Sequence, residues 1–238
     1  MVDKQQPVIL IRAALFDMDG LLVDSEPHWR AAERAVFDTV GLFLTDDQCK
    51  QTTGMPIPAV VAYWFERHPW TEGAGTTRQA VGDRITAGAH ERIGALAEPM
   101  PGALDTLDFF VSRGLPVAIA SASPMSLIEV VVDRLGIRDR LTLWHSATLE
   151  ARNKPAPDVY WGAARRLNVE PSACLAFEDS GSGVASAHAA GTITVAVPAD
   201  FEYNDPKFAI ASLKLPSLTA WSEAIFQALS IPSSFLIP

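Results

Sequence analysis

From residue 102 onward, short apolar segments alternate regularly with helical segments, and this alternation most constrains the fold. The apolar segments, each predicted to be a strand, are residues 115–120, 141–144, 174–177 and 193–197. The predicted helices are residues 103–112, 125–135, 157–167, 183–190 and 219–229. Strands that alternate with helices predict an α/β fold, in which helices cover both faces of a mainly parallel sheet.

A helical stretch separates this region from an earlier strand. Residues 8–16 are apolar and end abruptly at the sequence DMDG, which predicts a buried strand that leads into a loop. No strand pattern follows before PMPG at residues 99–102; helices are predicted at 27–40, 57–68 and 76–98, and another begins at Thr45. We therefore predict an α/β core of residues 1–24 and 99–238, with an all-helical domain, residues 25–98, inserted after the first strand.

Composition excludes several classes of protein. The net charge of −9 argues against a protein that binds nucleic acid through its phosphates, because such a protein needs a basic surface. Two cysteines in 238 residues are too few for a disulfide scaffold. The sequence shows neither an 18-residue apolar run nor a secretory signal pattern, so we expect a cytoplasmic protein without a membrane partner.

Polar residues that could carry chemistry follow the predicted strands. Ligands bind beyond the carboxyl ends of the strands in such sheets, and the residues found there are Asp17, Asp19, Ser121, Lys154, Glu178 and Asp179. Several carboxylates in one pocket repel each other unless a cation is present, and oxygen ligands favour Mg²⁺. Lys154 suits a phosphoryl oxygen, and Ser121 with the backbone N–H groups of its loop, including that of Ala122, adds neutral donors. This set fits metal-assisted phosphoryl transfer.

Four short sequences carry a resemblance to a known family. They are DMDGLLVDSE at residues 17–26, ASAS at 120–123, KPAPD at 154–158 and FEDSGSG at 177–183. In this order and at these separations, they resemble the haloacid dehalogenase superfamily in its large phosphatase and phosphomutase branch. The resemblance covers nearly the whole chain, and it implies that the helical insert is the family's cap domain.

The resemblance also implies a role for each site residue. Asp17 is the expected nucleophile, which forms an aspartyl-phosphate, and Asp19 is the expected acid and base. Ser121, Ala122 and Lys154 are expected to hold the phosphoryl group. The expected Mg²⁺ ligands are Asp17, the backbone carbonyl of Asp19, and Asp179. Glu178 is expected to contact the metal only indirectly, through these ligands or through a water molecule. The family resembled usually works as a monomer, so a monomer is expected.

Within the superfamily, the sequence departs from the phosphosugar mutases. The β-phosphoglucomutases carry a histidine twelve residues after the nucleophile, where this chain has Trp29, with His28 one residue off. They also place a lysine and an arginine around a cap glycine, whereas Thr53 and Ile57 flank Gly54 here. A set of other residues resembles bacterial hexitol phosphatases, also described as 2-deoxyglucose-6-phosphate phosphatases: Thr53-Gly54, Val60-Val61, Trp64 and Pro69-Trp70 in the cap, and NDPKF at 204–208 in the core. We therefore predict a phosphatase for small sugar or sugar-alcohol phosphates, with a phosphosugar mutase as the alternative.

The same residues also allow other interpretations. Asp17 and Asp19 could be ordinary turn residues. They also resemble the start of a calcium-binding loop, but such a loop would need an oxygen ligand where Leu21 stands. Glycines 181 and 183 mimic a dinucleotide-binding loop, but two acids precede them and would repel a pyrophosphate. Ser123, before Pro124, is predicted to cap a helix, which leaves Ser121 for substrate.

Two further groups of residues keep a structural interpretation. The five histidines show no metal-ligand spacing, and the aromatic residues Trp29, Tyr63 and Trp64 could line a sugar pocket or belong to a core.

Two other functions are less consistent with Asp19. A dehalogenase would lack this residue, and a non-catalytic binding protein would not require it.

Overall fold

The computed structural model describes residues 10–53 and 55–230. It divides into two compact units, one formed by Met1–Val23 with Pro99–Pro238 and the other by Asp24–Glu98. Three features of the sequence lie outside the described residues: the first residues of the predicted strand 8–16, the cap glycine Gly54, and the apolar tail 231–238. Among the described helices, none combines the length and apolar character that a membrane crossing requires.

The larger unit contains a parallel six-stranded sheet. Its strands are β1 (Ala13–Phe16), β2 (Val117–Ser121), β3 (Leu143–Ser146), β4 (Cys174–Glu178), β5 (Ile193–Ala196) and β6 (Leu213–Lys214). They lie side by side in the order β3-β2-β1-β4-β5-β6, and every neighbouring pair is parallel. Because the order reverses around β1, this strand occupies the centre and its carboxyl end lies at the topological switch point. The predicted α/β fold class is confirmed.

Helices cover both faces of this sheet. They are α5 (Ala103–Val111), α6 (Met125–Arg134), α7 (Asp158–Leu167), α8 (Gly181–Ala189) and α9 (Glu223–Ser230). Successive strand residues point to opposite faces, so Leu15 packs in a cluster with α7, whereas Phe16 stacks on Phe177 with ring centroids 4.6 Å apart. Phe110 of α5 and Trp221 extend this aromatic side. The central strands are therefore buried on both sides, which explains their continuous apolar sequences.

In its described part, residues 24–53 and 55–98, the smaller unit contains helices and no strand. Its helices are α1 (Glu26–Asp38), α2 (Asp46–Cys49), α3 (Ile57–Arg67) and α4 (Arg78–Leu96). Thr45 caps α2 reciprocally with Gln48, which confirms the helix start predicted there. Buried residues from all four helices, including Phe37, Val60 and Ile85, form one apolar core. The same interior holds the carboxyl group of Glu33, whose Oε2 has no hydrogen-bond partner among the described residues.

The structure corrects some predicted boundaries. The strand predicted at 141–144 is Leu143–Ser146, and the helix predicted to begin at residue 219 begins at Glu223, after a short 3-10 turn, Leu218–Ala220. Trp221 is extended between these two elements, where its ring packs edge-on against Phe177. The two-residue strand β6 was not predicted, because such a short segment carries no alternation to recognise.

Candidate active site

Strand register brings the predicted site residues to one edge of the sheet. Phe16 is in register with Phe177 on one side and with Ile119 on the other. The N–H of Asp17 donates to the carbonyl of Phe177, at 3.0 Å, so Asp17 lies beside Glu178. The carboxyl ends of β1, β2 and β4 therefore deliver Asp17, Ser121 and Glu178 to neighbouring positions.

Lys154 joins two of these carboxylates from a separate loop. Its Nζ donates to Asp17 Oδ1 and to Glu178 Oε1, each at 2.7 Å, although it is 137 residues from Asp17 in the chain. The Lys154 side chain is 5% exposed, so this contact is screened little by water. The Lys154–Pro155 peptide bond is cis. Among the described residues, Lys154 thus supplies the one positive charge that is bonded to both Asp17 and Glu178.

Glu178 is fully buried and has a second donor. The Tyr160 hydroxyl, from helix α7, donates to Glu178 Oε1 at 2.5 Å, and the Tyr160 ring lies 5.4 Å from Lys154 Nζ. On its other side, Glu178 fills the space above Gly183, where a Cβ atom would lie 1.9 Å from Oε2. Tyr160 and Gly183 therefore define the position of this carboxylate.

A third carboxylate, that of Asp179, completes an acidic cluster. Asp17, Glu178 and Asp179 each offer an oxygen within 4.8 Å of the others, a spacing that a metal ion could use. Asp179 Oδ1 is buried without a hydrogen-bond partner among the described residues. Gly20, with φ +76°, lets the backbone approach, since a Cβ there would lie 2.2 Å from Asp179 Oδ2. Glu178 lies within this cluster, and the indirect contact with the metal that the sequence assigned to it stays a prediction.

Burial controls the protonation of these groups. Burial, and then the charges of Asp17 and Glu178, hold the pKa of Asp179 well above its usual value. Burial also raises the pKa of Glu178 to about 7, although Lys154 acts in the opposite direction. Burial alone would lower the pKa of Lys154, but the two carboxylates beside it outweigh that effect and raise it. The site therefore gathers more carboxyl groups than its single lysine can keep ionised.

The loop after β2 contains Ser121, Ala122 and Ser123. Ser121 is buried and its Oγ accepts from the N–H of Ser123 at 3.0 Å, whereas Ala122 is exposed. The Ser123 hydroxyl donates to Asp19 Oδ2 at 2.6 Å. The prediction that Ser123 caps helix α6 is wrong, because Pro124 occupies the cap position and no side chain bonds there. Ser123 instead joins the β2 loop to Asp19.

Two site residues, Tyr160 and Ser123, were not recognised from the sequence as contacts of the predicted site. Tyr160 lies at the third helical position of α7, on the side of the helix that faces the sheet, so its spacing from Lys154 was an available signal. The histidines keep their structural interpretation where contacts are described: His145 is buried and lies 2.7 Å from Glu150. Trp64 is buried in the apolar core of the helical unit.

Comparison with known proteins identifies the class. The family model for haloacid dehalogenase-like hydrolases matches residues 11–191, and the chain belongs to this family. Hexitol phosphatase B from Escherichia coli (strain K12) is 39% identical over 210 residues, which cover 88% of this chain and 93% of that protein. Fructose-1-phosphate phosphatase YqaB from the same strain is 29% identical over 77% of this chain and 94% of its own. The prediction of a phosphatase is confirmed.

Solved structures support the fold. The crystal structure of CbbY from Rhodobacter sphaeroides in complex with phosphate has a TM-score of 0.75 at 24% identity, covering 89% of this chain and 96% of that one. The β-phosphoglucomutase from Clostridium difficile has a TM-score of 0.74 at 22% identity, covering 93% and 97%. The same fold therefore occurs in a protein described as a mutase, and the fold alone does not choose between the two reactions.

Proposed function

We propose that the protein is a Mg²⁺-dependent phosphomonoester hydrolase that acts on small sugar or sugar-alcohol phosphates through an aspartyl-phosphate. The observation that carries this proposal is the buried cluster in which Asp17 lies against Lys154, beside Glu178 and Asp179. A carboxylate held by a fixed cation at the end of the central strand is suited to accept a phosphoryl group. A cytoplasmic location and a monomeric state remain predictions from the sequence.

The acidic cluster fits a magnesium ion. Its donors are carboxylate oxygens, which Mg²⁺ prefers, and Asp179 Oδ1 has no described partner to satisfy it. Burial, and then the nearby charges of Asp17 and Glu178, raise the pKa of Asp179, and a cation bound there would offset that repulsion. Asp17 and Asp179 would hold the ion together with the backbone carbonyl of Asp19, and Glu178 would contact it indirectly or through water. When bound, the ion would offset negative charge on the phosphoryl oxygens.

The proposed reaction has two steps that use Asp17 and Asp19. In the first, an Asp17 carboxylate oxygen bonds to phosphorus, the bond from phosphorus to the sugar oxygen breaks, and Asp19 gives its proton to that oxygen. In the second, Asp19 takes a proton from water, the water oxygen bonds to phosphorus, and the Asp17–phosphorus bond breaks to release phosphate. Lys154, Ser121 and the N–H of Ala122 would hold the phosphoryl oxygens during both steps.

Similarity to named phosphatases supports the substrate class. The name of hexitol phosphatase B refers to a sugar alcohol, and that of fructose-1-phosphate phosphatase to a sugar phosphate. Thr53 and Ile57 stand where the mutases have a lysine and an arginine around the cap glycine. The two basic side chains that could bind a second phosphate group are therefore absent at these positions. We infer that the helical unit acts as a cap and that residues 53–64 contribute to the choice of substrate.

Phosphate release from a panel of hexose and hexitol phosphates tests the proposal. We expect release in the presence of Mg²⁺, its loss when EDTA is added, and its return when Mg²⁺ is restored. Asp17→Asn is the matched inactive variant, because it keeps the shape of the side chain and removes the nucleophile. Absence of release from every ester, with folded protein and Mg²⁺ present, contradicts the proposal. A bisphosphate-dependent isomerisation of a hexose phosphate would establish the mutase alternative.

A further inference from the structure

Ser123 makes three hydrogen bonds that define the direction of its hydroxyl group. Its N–H donates to Ser121 Oγ at 3.0 Å, and its carbonyl accepts from Ser146 Oγ at 2.6 Å. Its own hydroxyl donates to Asp19 Oδ2 at 2.6 Å. The backbone of Ser123 is therefore held on both sides, and its side chain reaches the carboxyl group proposed to be the acid and base.

The support for this arrangement comes from the next strand of the sheet. Ser146 ends β3, lies in register with Ser121, and is fully buried. Its Oγ also lies 2.7 Å from the hydroxyl of Thr148 and accepts the N–H of that residue at 3.1 Å. Pro124, which follows Ser123, disfavours helical backbone at Ser123 and so restricts the loop further. Elements far apart in the chain thus converge on one hydroxyl group.

We propose that Ser123 is a positioning residue that orients Asp19 in both steps of the reaction, an inference that rests on the proposed function. A carboxylate accepts hydrogen bonds on both oxygens, and a carboxylic acid still accepts on the oxygen that carries no proton. Ser123 can therefore donate to Asp19 Oδ2 in both states and leave Oδ1 to carry the proton that is given to the sugar oxygen in the first step and taken from water in the second. An alanine at this position cannot make this bond.

Two variants of Ser123, one control variant and two esters test this role. Ser123→Ala removes the hydroxyl and Ser123→Thr keeps it, at a position that is partly exposed. The control, Ser112→Ala, makes the same change at an exposed serine at the end of α5. The esters are a hexitol phosphate, whose alcohol must be protonated as it leaves, and 4-nitrophenyl phosphate, whose phenolate leaves without a proton. Single-turnover release of the alcohol isolates the first step.

For Ser123→Ala, we expect the first step with the hexitol phosphate to slow about tenfold to a hundredfold, the range expected for one hydrogen bond to a charged group. KM should change less than about threefold, and nitrophenolate release should slow much less, because it needs no proton from Asp19. Ser123→Thr should recover most of the rate, and Ser112→Ala should match the wild type.

Three results would overturn the proposal. Equal slowing with both esters, with no recovery in Ser123→Thr, would show that the serine only maintains the loop. An unchanged rate in Ser123→Ala, with an active wild type, would refute this role and leave the proposed function standing. A wild-type protein that hydrolyses neither ester would refute the proposed function, and this role with it.

Discussion

Replacing Lys154 with methionine should expose how strongly the acidic cluster depends on one cation. The lysine side chain is 5% exposed and its two partners, Asp17 and Glu178, are 10% and 0% exposed. Methionine keeps much of the length and apolar character of the side chain but removes the charge. The variant therefore leaves a buried cluster of carboxylates with no positive charge bonded to Asp17.

The expected loss of stability follows from this burial. Removing one partner of a buried ion pair costs about 3–5 kcal/mol, because the remaining charge is neither hydrated nor paired. For a chain of this size, about 1 kcal/mol lowers the melting temperature by about 2–4 °C, so we expect a decrease of at least about 6 °C. The measurement is differential scanning calorimetry at pH 8 in EDTA.

Acidification should reduce the difference in melting temperature between Lys154→Met and the wild type. Burial already raises the pKa of Glu178 to about 7 with the lysine present, and loss of the lysine removes the main effect that lowers it. A carboxyl with a raised pKa in the folded protein binds its proton more strongly there, so the stability of the variant falls as pH rises through this range. At pH 6 the protonated Glu178 carries no charge, and the deficit in melting temperature should be smaller than at pH 8. Added Mg²⁺ should also restore part of the stability at pH 8.

Lys50→Met is the matched control for this experiment. Lys50 also lies near two carboxylates, those of Asp46 and Asp47, but its side chain is 54% exposed. An exposed pair of this kind contributes little, so the control should melt with the wild type. The reasoning is wrong if Lys154→Met melts within 2 °C of the wild type, or if its deficit is the same at pH 6 and pH 8.

Three other substitutions test separate parts of the structure. Asp17→Asn should lower kcat at least about a thousandfold, and turnover close to that of the wild type would exclude a covalent intermediate on Asp17. Tyr160→Phe removes a buried donor to Glu178 and should lower the free energy of unfolding by about 1–3 kcal/mol in urea titrations, whereas an unchanged midpoint would show that the hydroxyl contributes nothing. Glu33→Gln should stabilise the protein at pH 8 by up to about 3 kcal/mol and much less at pH 5. Burial raises the pKa of Glu33 to about 7, so the wild type loses stability as the pH rises from 4.5 to 7. A variant that is less stable than the wild type at pH 8 would contradict this prediction.

Much of the fold could be predicted from local patterns. Continuous apolar segments predicted β1, β2 and β4 because these strands are buried on both faces, and the threonine and two aspartates of residues 45–47 predicted the start of α2. The weak points were elements whose limits depend on distant packing. Trp221 is extended because its ring joins an aromatic cluster with Phe110 and Phe177, and nothing in the local sequence specifies that neighbour.

The sequence by itself was enough to propose which residues carry the chemistry. Asp17, Lys154 and Glu178 each follow an apolar segment or open a helix, and parallel strands place their carboxyl ends at one edge of a sheet. That rule needs no knowledge of the contacts. The order of the four short sequences, and the resemblance that they carry, supported the same choice of residues.

Only the tertiary structure decided how these side chains are paired. Lys154 reaches Asp17 across 137 residues, Ser123 reaches Asp19 across 104, and Tyr160 reaches Glu178 across 18. Each contact depends on the register of neighbouring strands and on the seating of α7 against the sheet, both of which are set by packing of the whole core. Burial then determines the charges, because the same carboxyl group that ionises readily in an exposed loop keeps its proton more strongly in a dry cluster of acids.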